Sequence, residues 1–269
     1  MSNEHSKGTA LVTGASAGIG ATYAKRLAAR GYDLVLVARN KARLDALAAT
    51  LSAETGRTVR TLVADLTNGD DLAKVEALLK SDVSITLLVN NAGSAALGPF
   101  ATADLSRLTQ EIELNIVAPT RLAHAVLPGL VSRGRGAIIN IASVMSQMVQ
   151  PGNSVYGGGK AYLLHLSQVL AQEVNGAGVK IQAVLPGATR TEIWNGSGVE
   201  IDQLPANIIM EVDEMVDAAL AGFDQGELVT IPSLPDAADW QRLLDARAAL
   251  LPNLSRNEAA PRYKTPVTA

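Results

Sequence analysis

Two residues of this chain, Tyr156 and Lys160, have the types and the spacing that permit acid–base chemistry. A helix places residues i and i+4 on one face, so the phenol and the ammonium would lie side by side. A nearby ammonium lowers the pKa of a phenol from its ordinary value near ~10. Such a phenol can protonate a developing alkoxide or deprotonate an alcohol. Alone, the pair is more typical of the solvated face of an amphipathic helix.

Two further polar residues favour the chemical interpretation. Ser143 follows a predicted strand and precedes the predicted helix of Tyr156. Its hydroxyl can donate to the same substrate oxygen and polarise a carbonyl group. Asn115 lies inside a predicted helix, where its amide competes with the backbone and is mildly unfavourable. We predict that Asn115 holds a water against Lys160 and connects the proton relay to solvent.

A glycine-rich turn near the start of the chain predicts a dinucleotide site. It follows an apolar strand and leads into a helix, where free N–H groups and the helix dipole favour a pyrophosphate. Glycines let the backbone approach that group closely. The alternative is an ordinary strand-to-helix turn. The predicted contacts are Gly14, Ser16, Ala17, Gly18, Ile19 and Gly20.

The end of the second predicted strand indicates which dinucleotide fits. An acidic residue there would bind the ribose 2′-hydroxyl of NAD, but this chain has Arg39 followed by Asn40. A guanidinium can hold a phosphate through two parallel hydrogen bonds. We therefore predict NADP(H), with Arg39 on the 2′-phosphate. The alternative is that these side chains only belong to a solvated helix start.

Two more strand ends complete the predicted cofactor site. Asp65 is expected to bind the adenine amino group, with Leu66 packed beside the ring, although a turn-forming role for Asp65 is equally compatible with the sequence. Small residues after the fourth strand let the chain pass close to the adenosine ribose. They are Asn91, Ala92 and Gly93.

Apolar runs alternate with amphipathic stretches along the chain, which predicts an α/β fold with a doubly wound parallel sheet and helices on both faces. The residues singled out above follow successive strands, so they would converge at one edge of that sheet. A long helix is predicted over Asp104 to Leu130, with a kink at Pro119. We expect one domain with a core over about 8–231, a lid over about 188–210 and a C-terminal extension over 232–269.

Composition excludes several classes of function. The formal net charge is −3 and aromatic residues make up 3%, which speaks against a nucleic-acid or anionic-membrane partner. The chain has no cysteine, which excludes disulfides, thiolate metal sites and a cysteine nucleophile. The first eight residues lack the apolar stretch of a secretion signal. We expect a cytoplasmic protein without a metal site.

Taken together, these motifs resemble the short-chain dehydrogenase/reductase family. The resemblance rests on T-G-x-x-x-G-x-G, N-N-A-G, the helical Asn, the strand-end Ser and Y-x-x-x-K, and it covers roughly Gly8 to Thr191. It implies a seven-stranded sheet in the order 3-2-1-4-5-6-7 and a hydride transfer that needs no metal. It implies the catalytic tetrad Asn115, Ser143, Tyr156 and Lys160, with Tyr156 and Lys160 also touching the cofactor.

The resemblance also implies features beyond the tetrad. The stretch after the sixth strand would contact the nicotinamide carboxamide through Pro186, Gly187, Thr189 and Thr191. Members of the family usually form homodimers or homotetramers through the two long helices. This chain departs from the family pattern at Ala17 and in the run Gly157-Gly158-Gly159. We hypothesise that the glycine run admits another chain or a bulky substrate, the alternative being tolerance by packing.

The predicted substrate pocket is mostly apolar, with walls at Ala95, Val144, Met145, Val155 and Trp194. A hydrophobic ketone, aldehyde or secondary alcohol would suit it. The leading hypothesis is an NADP(H)-dependent carbonyl reductase or alcohol dehydrogenase (EC 1.1.1.-). The alternatives are a 3-oxoacyl-thioester reductase and a non-catalytic protein that senses NADP(H).

Overall fold

Continuous apolar runs become the strands of a parallel sheet because both of its faces are covered. The structure, a computed structural model, describes residues 7–264. Seven strands run parallel in the order β3-β2-β1-β4-β5-β6-β7, which confirms the order implied by the family resemblance. The strands are β1 Thr9–Thr13, β2 Asp33–Ala38, β3 Val59–Val63, β4 Ile85–Asn90, β5 Gly136–Ile141, β6 Val179–Val184 and β7 Val229–Thr230.

Helices cover both faces of the sheet, as the alternation of elements predicts. One apolar layer packs α1, α2 and α7 on the sheet, and the opposite layer packs α3, α5 and the C-terminal half of α6. Asn40 and Asn68 cap α2 and α3 by accepting backbone N–H groups of the first turn. The helices are α1 Gly18–Ala29, α2 Lys41–Thr55, α3 Gly69–Ser81, α4 Leu105–Ile112, α5 Ala118–Ser132, α6 Ser154–Glu173, α7 Val212–Gln225 and α8 Ala237–Leu254.

The predicted long helix over 104–130 is interrupted. A π-helical turn, Glu113–Val117, separates α4 from α5 and contains Asn115. Pro119 lies in the first turn of α5. In a continuous α-helix the N–H of Pro119 would bond the Asn115 carbonyl, but proline has no N–H, so the wider turn replaces the predicted kink.

By length and composition alone, the helical stretch Leu105–Ser132 is long and apolar enough to cross a membrane, which the sequence did not lead us to expect. Its apolar side chains are used inside the fold instead. Leu122, Val126 and Leu130 are almost fully buried in the layer that packs on the sheet. A buried core helix meets the same criterion, so this stretch is no argument for a membrane protein.

The chain divides into two compact units, one that ends at Pro232 and one that begins at Ser233. The first holds the sheet. It also holds a two-stranded parallel pair, Ala188–Thr189 with Ile209–Met210, which closes the intervening segment into a loop. The second holds α8, which Asp236 caps through the N–H of Ala238.

Candidate active site

The ends of β1 and β4 are tied together at the edge of the sheet where the predicted site residues converge. The Asn91 amide donates to the Thr13 carbonyl at 2.8 Å. The Thr13 hydroxyl accepts the backbone N–H groups of Asn91 and Ala92, each at 3.0 Å. Asn91 and Ala92 are therefore part of the wall that fixes the glycine turn.

Close approach of neighbouring atoms explains why the turn needs glycine. Gly14 has φ +66°, and a β carbon there would stand 2.8 Å from the Asn91 amide nitrogen. A β carbon on Gly20 would collide with the Gly14 carbonyl oxygen and stand 2.5 Å from the same amide. Gly18, with φ +51°, packs against the side chain of Thr191, where a β carbon would have 3.3 Å. Glycine at these three positions therefore lets neighbouring parts of the chain pack directly against the backbone of the turn.

The start of α1 is open to an anion. Ala17 precedes the helix in an extended conformation and offers no capping side chain, in contrast to the Asn caps of α2 and α3. The first N–H groups of a helix need partners, and a phosphate can supply them. Ser16, Ala17 and Ile19 are partly exposed beside this helix end. These residues fit the pyrophosphate of a dinucleotide.

We expect Gly20→Ala to damage this site. The new methyl group must displace the Gly14 carbonyl or the Asn91 amide, and overpacking of this kind costs about 1–3 kcal/mol. Both the free energy of unfolding and the affinity for NADPH should fall, as measured by denaturant titration and fluorescence titration. Gly69→Ala is the matched control, because Gly69 also opens a helix but has open space around it. Equal behaviour of the two variants would contradict the prediction.

The two arginines that follow β2 differ in how strongly they are ion-paired. Arg43 donates to Glu192 at 2.7 Å, so its guanidinium is already paired. Arg39 is 77% exposed and lies 3.9 Å from Asp65, a weak surface contact. Asn40 uses its side-chain oxygen to cap α2. The Arg39 guanidinium is therefore less strongly paired than that of Arg43.

Asp65 has a turn-forming role in the structure. Its Oδ1 accepts both the N–H and the hydroxyl of Thr67, at 3.0 and 2.8 Å. Leu66 beside it is buried. The turn role that the sequence left open is thus present, and the contact of Asp65 with adenine stays a prediction.

At the other end of the site, Ser143, Tyr156 and Lys160 come together. Ser143 follows β5 by two residues, where its hydroxyl donates to the Pro186 carbonyl at 3.4 Å and accepts the Met145 N–H at 3.2 Å. Lys160 is 4% exposed, and its ammonium donates to the Ile141 carbonyl at 2.9 Å. The Lys160 nitrogen lies 5.6 Å from the centre of the Tyr156 ring.

Burial is the largest influence on the acidity of Tyr156. It raises the pKa of Tyr156 to about 12, against a lowering by the Ser143 hydroxyl. This differs from the lowered pKa that the Tyr–Lys spacing predicts. The Lys160 ammonium donates to the Ile141 carbonyl, and burial is the largest influence on the Tyr156 phenol. The phenol is therefore protonated at neutral pH, which is the form that donates a proton to a carbonyl oxygen.

Asn115 holds the segment that follows Gly93. Its amide donates to the Ser94 carbonyl at 2.8 Å and accepts the Ser94 N–H at 3.1 Å. A β carbon on Gly93 would stand 3.0 Å from the Asn115 oxygen and 3.4 Å from the Lys160 nitrogen. The missing side chain of Gly93 thus leaves a space that Asn115 and Lys160 both border. This arrangement is compatible with the predicted water, whose presence stays a prediction.

The sequence reasoning missed Glu111, a carboxyl group that is 1% exposed and lies beside Asn115. Its Oε1 accepts the Ala96 N–H at 3.3 Å and the Asn115 amide at 3.5 Å, and within residues 7–264 its Oε2 has no hydrogen-bond partner. Burial raises the pKa of Glu111 to about 7, while the Ala96 N–H and the charges of Lys160 and Arg107 lower it. The signal was available, since Glu111 stands one helical turn before Asn115.

The segment after β6 lies against the glycine turn. Pro186 contacts Ser143 as described, Thr189 is buried, and the Thr189 hydroxyl donates to the Gly187 carbonyl at 3.2 Å. Thr191 packs on Gly18. The residues predicted for the nicotinamide end are thus placed between the cofactor turn and Ser143.

The predicted lid is fastened at several points. The Trp194 indole donates to the Thr189 carbonyl at 2.8 Å. Ser197 is buried, and its carbonyl accepts the Leu97 N–H at 2.8 Å. Arg107 of α4 donates to the Gly196 carbonyl at 2.5 Å. The lid is therefore tied to the chain around Leu97 and to α4.

The other predicted wall residues are partly exposed and follow β4 and β5 or begin α6. They are Ala95, Val144, Met145 and Val155. Their contact with a substrate stays a prediction. Within residues 7–264, no group of three or more His, Asp or Glu side chains is arranged to hold a metal ion.

The three glycines between Tyr156 and Lys160 are not equivalent. A β carbon on Gly157 would collide with the Asn153 amide and stand 3.1 Å from the Met145 carbonyl. Gly158 faces open space, and Gly159 has only ordinary contacts with Ile116 and Asn115. Close packing within the chain therefore demands glycine at the first position alone.

We expect Gly158→Ala to raise the free energy of unfolding by up to about 1 kcal/mol, because alanine favours a helix interior over glycine. Gly157→Ala gains the same propensity but must displace Asn153 and the Met145 carbonyl, so it should be less stable than Gly158→Ala. Urea denaturation of the two variants measures the difference. A Gly157→Ala protein as stable as Gly158→Ala would contradict this account.

Comparisons with known proteins agree with this geometry. Residues 8–200 match the family model described as short chain dehydrogenase. A short-chain dehydrogenase from Sphingobium yanoikuyae, solved in complex with NADPH, is 53% identical with a TM-score of 0.93. That likeness covers 96% of this chain and all of the other.

Two further relatives are informative. The bulky-bulky ketone specific alcohol dehydrogenase from Comamonas testosteroni is 46% identical with a TM-score of 0.89, over 97% of this chain and all of that one. The very-long-chain 3-oxoacyl-CoA reductase of Bos taurus is 34% identical over 188 residues, or 68% of this chain. The chain spans about 60% of the length of such curated relatives.

Proposed function

This chain belongs to the short-chain dehydrogenase/reductase family, and from that premise we propose that it is an NADP(H)-dependent oxidoreductase of bulky hydrophobic ketones and their alcohols. The observation that carries the proposal is the convergence of Ser143, Tyr156 and Lys160 beside the glycine turn. Ser143 and Lys160 are both buried, and the Lys160 side chain carries a positive charge. Burying a hydroxyl or an ammonium group costs free energy, which favours a functional role for these two residues.

The roles follow from the geometry of the chain's own residues. Ser143, fixed by Pro186 and Met145, donates to the substrate carbonyl oxygen and polarises it. Tyr156 gives its proton to the same oxygen as negative charge develops there. Lys160, held by the Ile141 carbonyl, supports the phenolate that remains. When bound, NADPH supplies the hydride.

The choice of NADP(H) has two supports. Arg39 is exposed and only weakly paired, whereas Arg43 is committed to Glu192. The Sphingobium relative was solved with NADPH. We propose that Arg39 binds the 2′-phosphate, that the α1 end binds the pyrophosphate and that the segment after β6 binds the carboxamide.

The substrate class rests on the Comamonas relative and on apolar surface after Ser143. That relative is specific for bulky-bulky ketones. In this chain, Met148 and Val149 are 42% and fully exposed, and no charge lies among residues 143–155. Apolar side chains that stay exposed often mark a binding surface. A ketone with two large apolar substituents would suit it.

We also propose that the protein is a cytoplasmic homo-oligomer. The outer surfaces of α5 and α6 meet through a 2.8 Å hydrogen bond between Thr120 and Tyr162. Val131 and Val169 on the same helices are 40% and 36% exposed. Light scattering of the purified protein tests the assembly, and a monomer at all concentrations would oppose it.

A second candidate is reduction of 3-oxoacyl thioesters. The Bos taurus relative, a very-long-chain 3-oxoacyl-CoA reductase, favours this activity. Its identity to this chain is lower than that of the Comamonas relative, and the match covers a smaller share of both chains. A thioester reductase should turn over 3-oxoacyl-CoA substrates with a higher kcat/KM than diaryl or aryl alkyl ketones. A protein that only senses NADP(H) should turn over neither.

The test is the oxidation of NADPH in the presence of small ketones, bulky ketones, aldehydes and 3-oxoacyl-CoA substrates. We expect the highest kcat/KM for the bulky ketones. Preference for the thioesters would establish the second candidate. NADPH binding without turnover of any carbonyl compound would support the sensing protein and overturn the proposed function.

A further inference from the structure

Glu111 is the buried charged group that the proposed chemistry does not yet use. It lies on α4, which packs on α6, the helix of Tyr156 and Lys160. Its side chain is 1% exposed, and Oε2 has no hydrogen-bond partner among the described residues. A buried carboxylate is costly unless it meets a compensating charge or hydrogen bond.

Asn115 links the surroundings of Glu111 to those of Lys160. Its Oε1 accepts the Asn115 amide at 3.5 Å. The Asn115 oxygen and the Lys160 nitrogen border the same space beside Gly93, 3.0 and 3.4 Å from the position that a β carbon would take. Asn115 therefore contacts the Glu111 carboxyl group through its amide nitrogen and borders the same position beside Gly93 as the Lys160 ammonium through its oxygen.

Few other charges act in this cluster. Lys160 and Tyr156 face Glu111 from α6, and Arg107 acts on it from its own helix. The loop over residues 94–98, packed on Oε1, has no titratable side chain, and β5 offers Lys160 only the Ile141 carbonyl. Glu113, two residues on, acts on Arg121 instead.

Lys160 needs an opposing charge to remain an ammonium in this setting. Burial lowers the pKa of Lys160 to about 8, and the charge of Glu111 raises it. The same charge raises the pKa of Tyr156. Both effects favour the protonated forms of Lys160 and Tyr156, which carbonyl reduction requires.

We propose that Glu111 is a positioning residue of the reaction, whose buried carboxylate is the internal counter-charge that keeps Lys160 an ammonium and Tyr156 a phenol. It acts through Lys160 and Tyr156 and touches neither substrate nor cofactor. The inference deepens the proposed function, on which it rests.

The sign of the expected effect follows from the charge. Without the carboxylate, the pKa values of Lys160 and Tyr156 both fall. Carbonyl reduction needs both groups protonated, so its decline at alkaline pH should begin at lower pH. In Glu111→Gln we expect the alkaline limb of kcat to move down by about one pH unit, with little change in the KM for the ketone.

Matched variants separate this role from packing. Glu113→Gln makes the same chemical change two residues away and should keep the wild-type pH profile. Glu111→Asp retains the charge and should restore the alkaline limb towards its wild-type position. A Glu111→Gln enzyme whose kcat falls equally at every pH would overturn the proposal.

A measurement on the ligand-free wild-type protein is independent of turnover. Carbon-13 NMR of labelled glutamate carboxyl groups should show one group that titrates near neutral pH, absent from Glu111→Asp. Since the Lys160 charge lowers the pKa of Glu111, this titration should move to higher pH in Lys160→Met; if it does not move, Glu111 is not the proposed partner of Lys160, whatever the ketone panel shows. Failure of the proposed function would appear instead as absence of turnover with this titration intact.

Discussion

Tyr156→Phe should reduce kcat for ketone reduction by roughly 10²- to 10⁴-fold, the range typical of a lost general acid. The change removes one oxygen and leaves the ring in place, so NADPH affinity should change far less than kcat. Steady-state kinetics together with fluorescence titration of NADPH measure the two quantities separately.

Tyr162→Phe is the matched control for this experiment. Tyr162 lies on the same helix, but its hydroxyl bonds Thr120 on the outer surface. It should keep wild-type turnover, since it lies outside the catalytic group. Turnover of Tyr156→Phe within tenfold of wild type would mean that another group protonates the substrate oxygen.

Arg39→Asp should reverse the cofactor preference. Loss of a charge-assisted hydrogen bond to a phosphate costs about 1.5–3 kcal/mol, and the new carboxylate would repel the 2′-phosphate while accepting hydrogen bonds from the 2′-hydroxyl of NADH. We expect the ratio of kcat/KM for NADPH to that for NADH to fall by on the order of 10² or more. Kinetics with both cofactors at fixed ketone concentration measure the ratio.

The position of Arg39 is decisive for this result. Arg57→Asp makes the same change in net charge just before β3, where Arg57 donates to the Gly31 carbonyl. That variant should keep the native cofactor preference. If Arg39→Asp also keeps it, the phosphate is bound elsewhere.

Residue types and order were enough to predict the sheet. Buried strands such as β2 and β4 read as continuous apolar runs, and the glycine turn marks the first crossover to a helix. The short-chain dehydrogenase/reductase family and the seven-strand order are both confirmed. Local pattern suffices for the strands and helices because their periods differ and each element must bury its apolar face, whereas the strand order was implied by the family resemblance.

Helix interruption and electrostatics were not predictable in the same way. The sequence placed Asn115 in one long helix with a kink at Pro119, and the structure places it in a π-helical turn ahead of Pro119. The sequence also predicted a lowered pKa for Tyr156, and burial raises it instead. Both outcomes depend on what surrounds the residue in three dimensions, which spacing along one helix does not specify.

The sequence by itself determined the fold class, the family and the candidate residues Ser143, Tyr156 and Lys160, because these depend on residue type and order. Only the tertiary structure decided that Arg43 is committed to Glu192 and that Gly157 alone of its run is closely packed. It also revealed Glu111 behind Asn115. Such facts are set by distances between elements far apart in the chain, and the charge state of a buried group follows from those distances and from its loss of water.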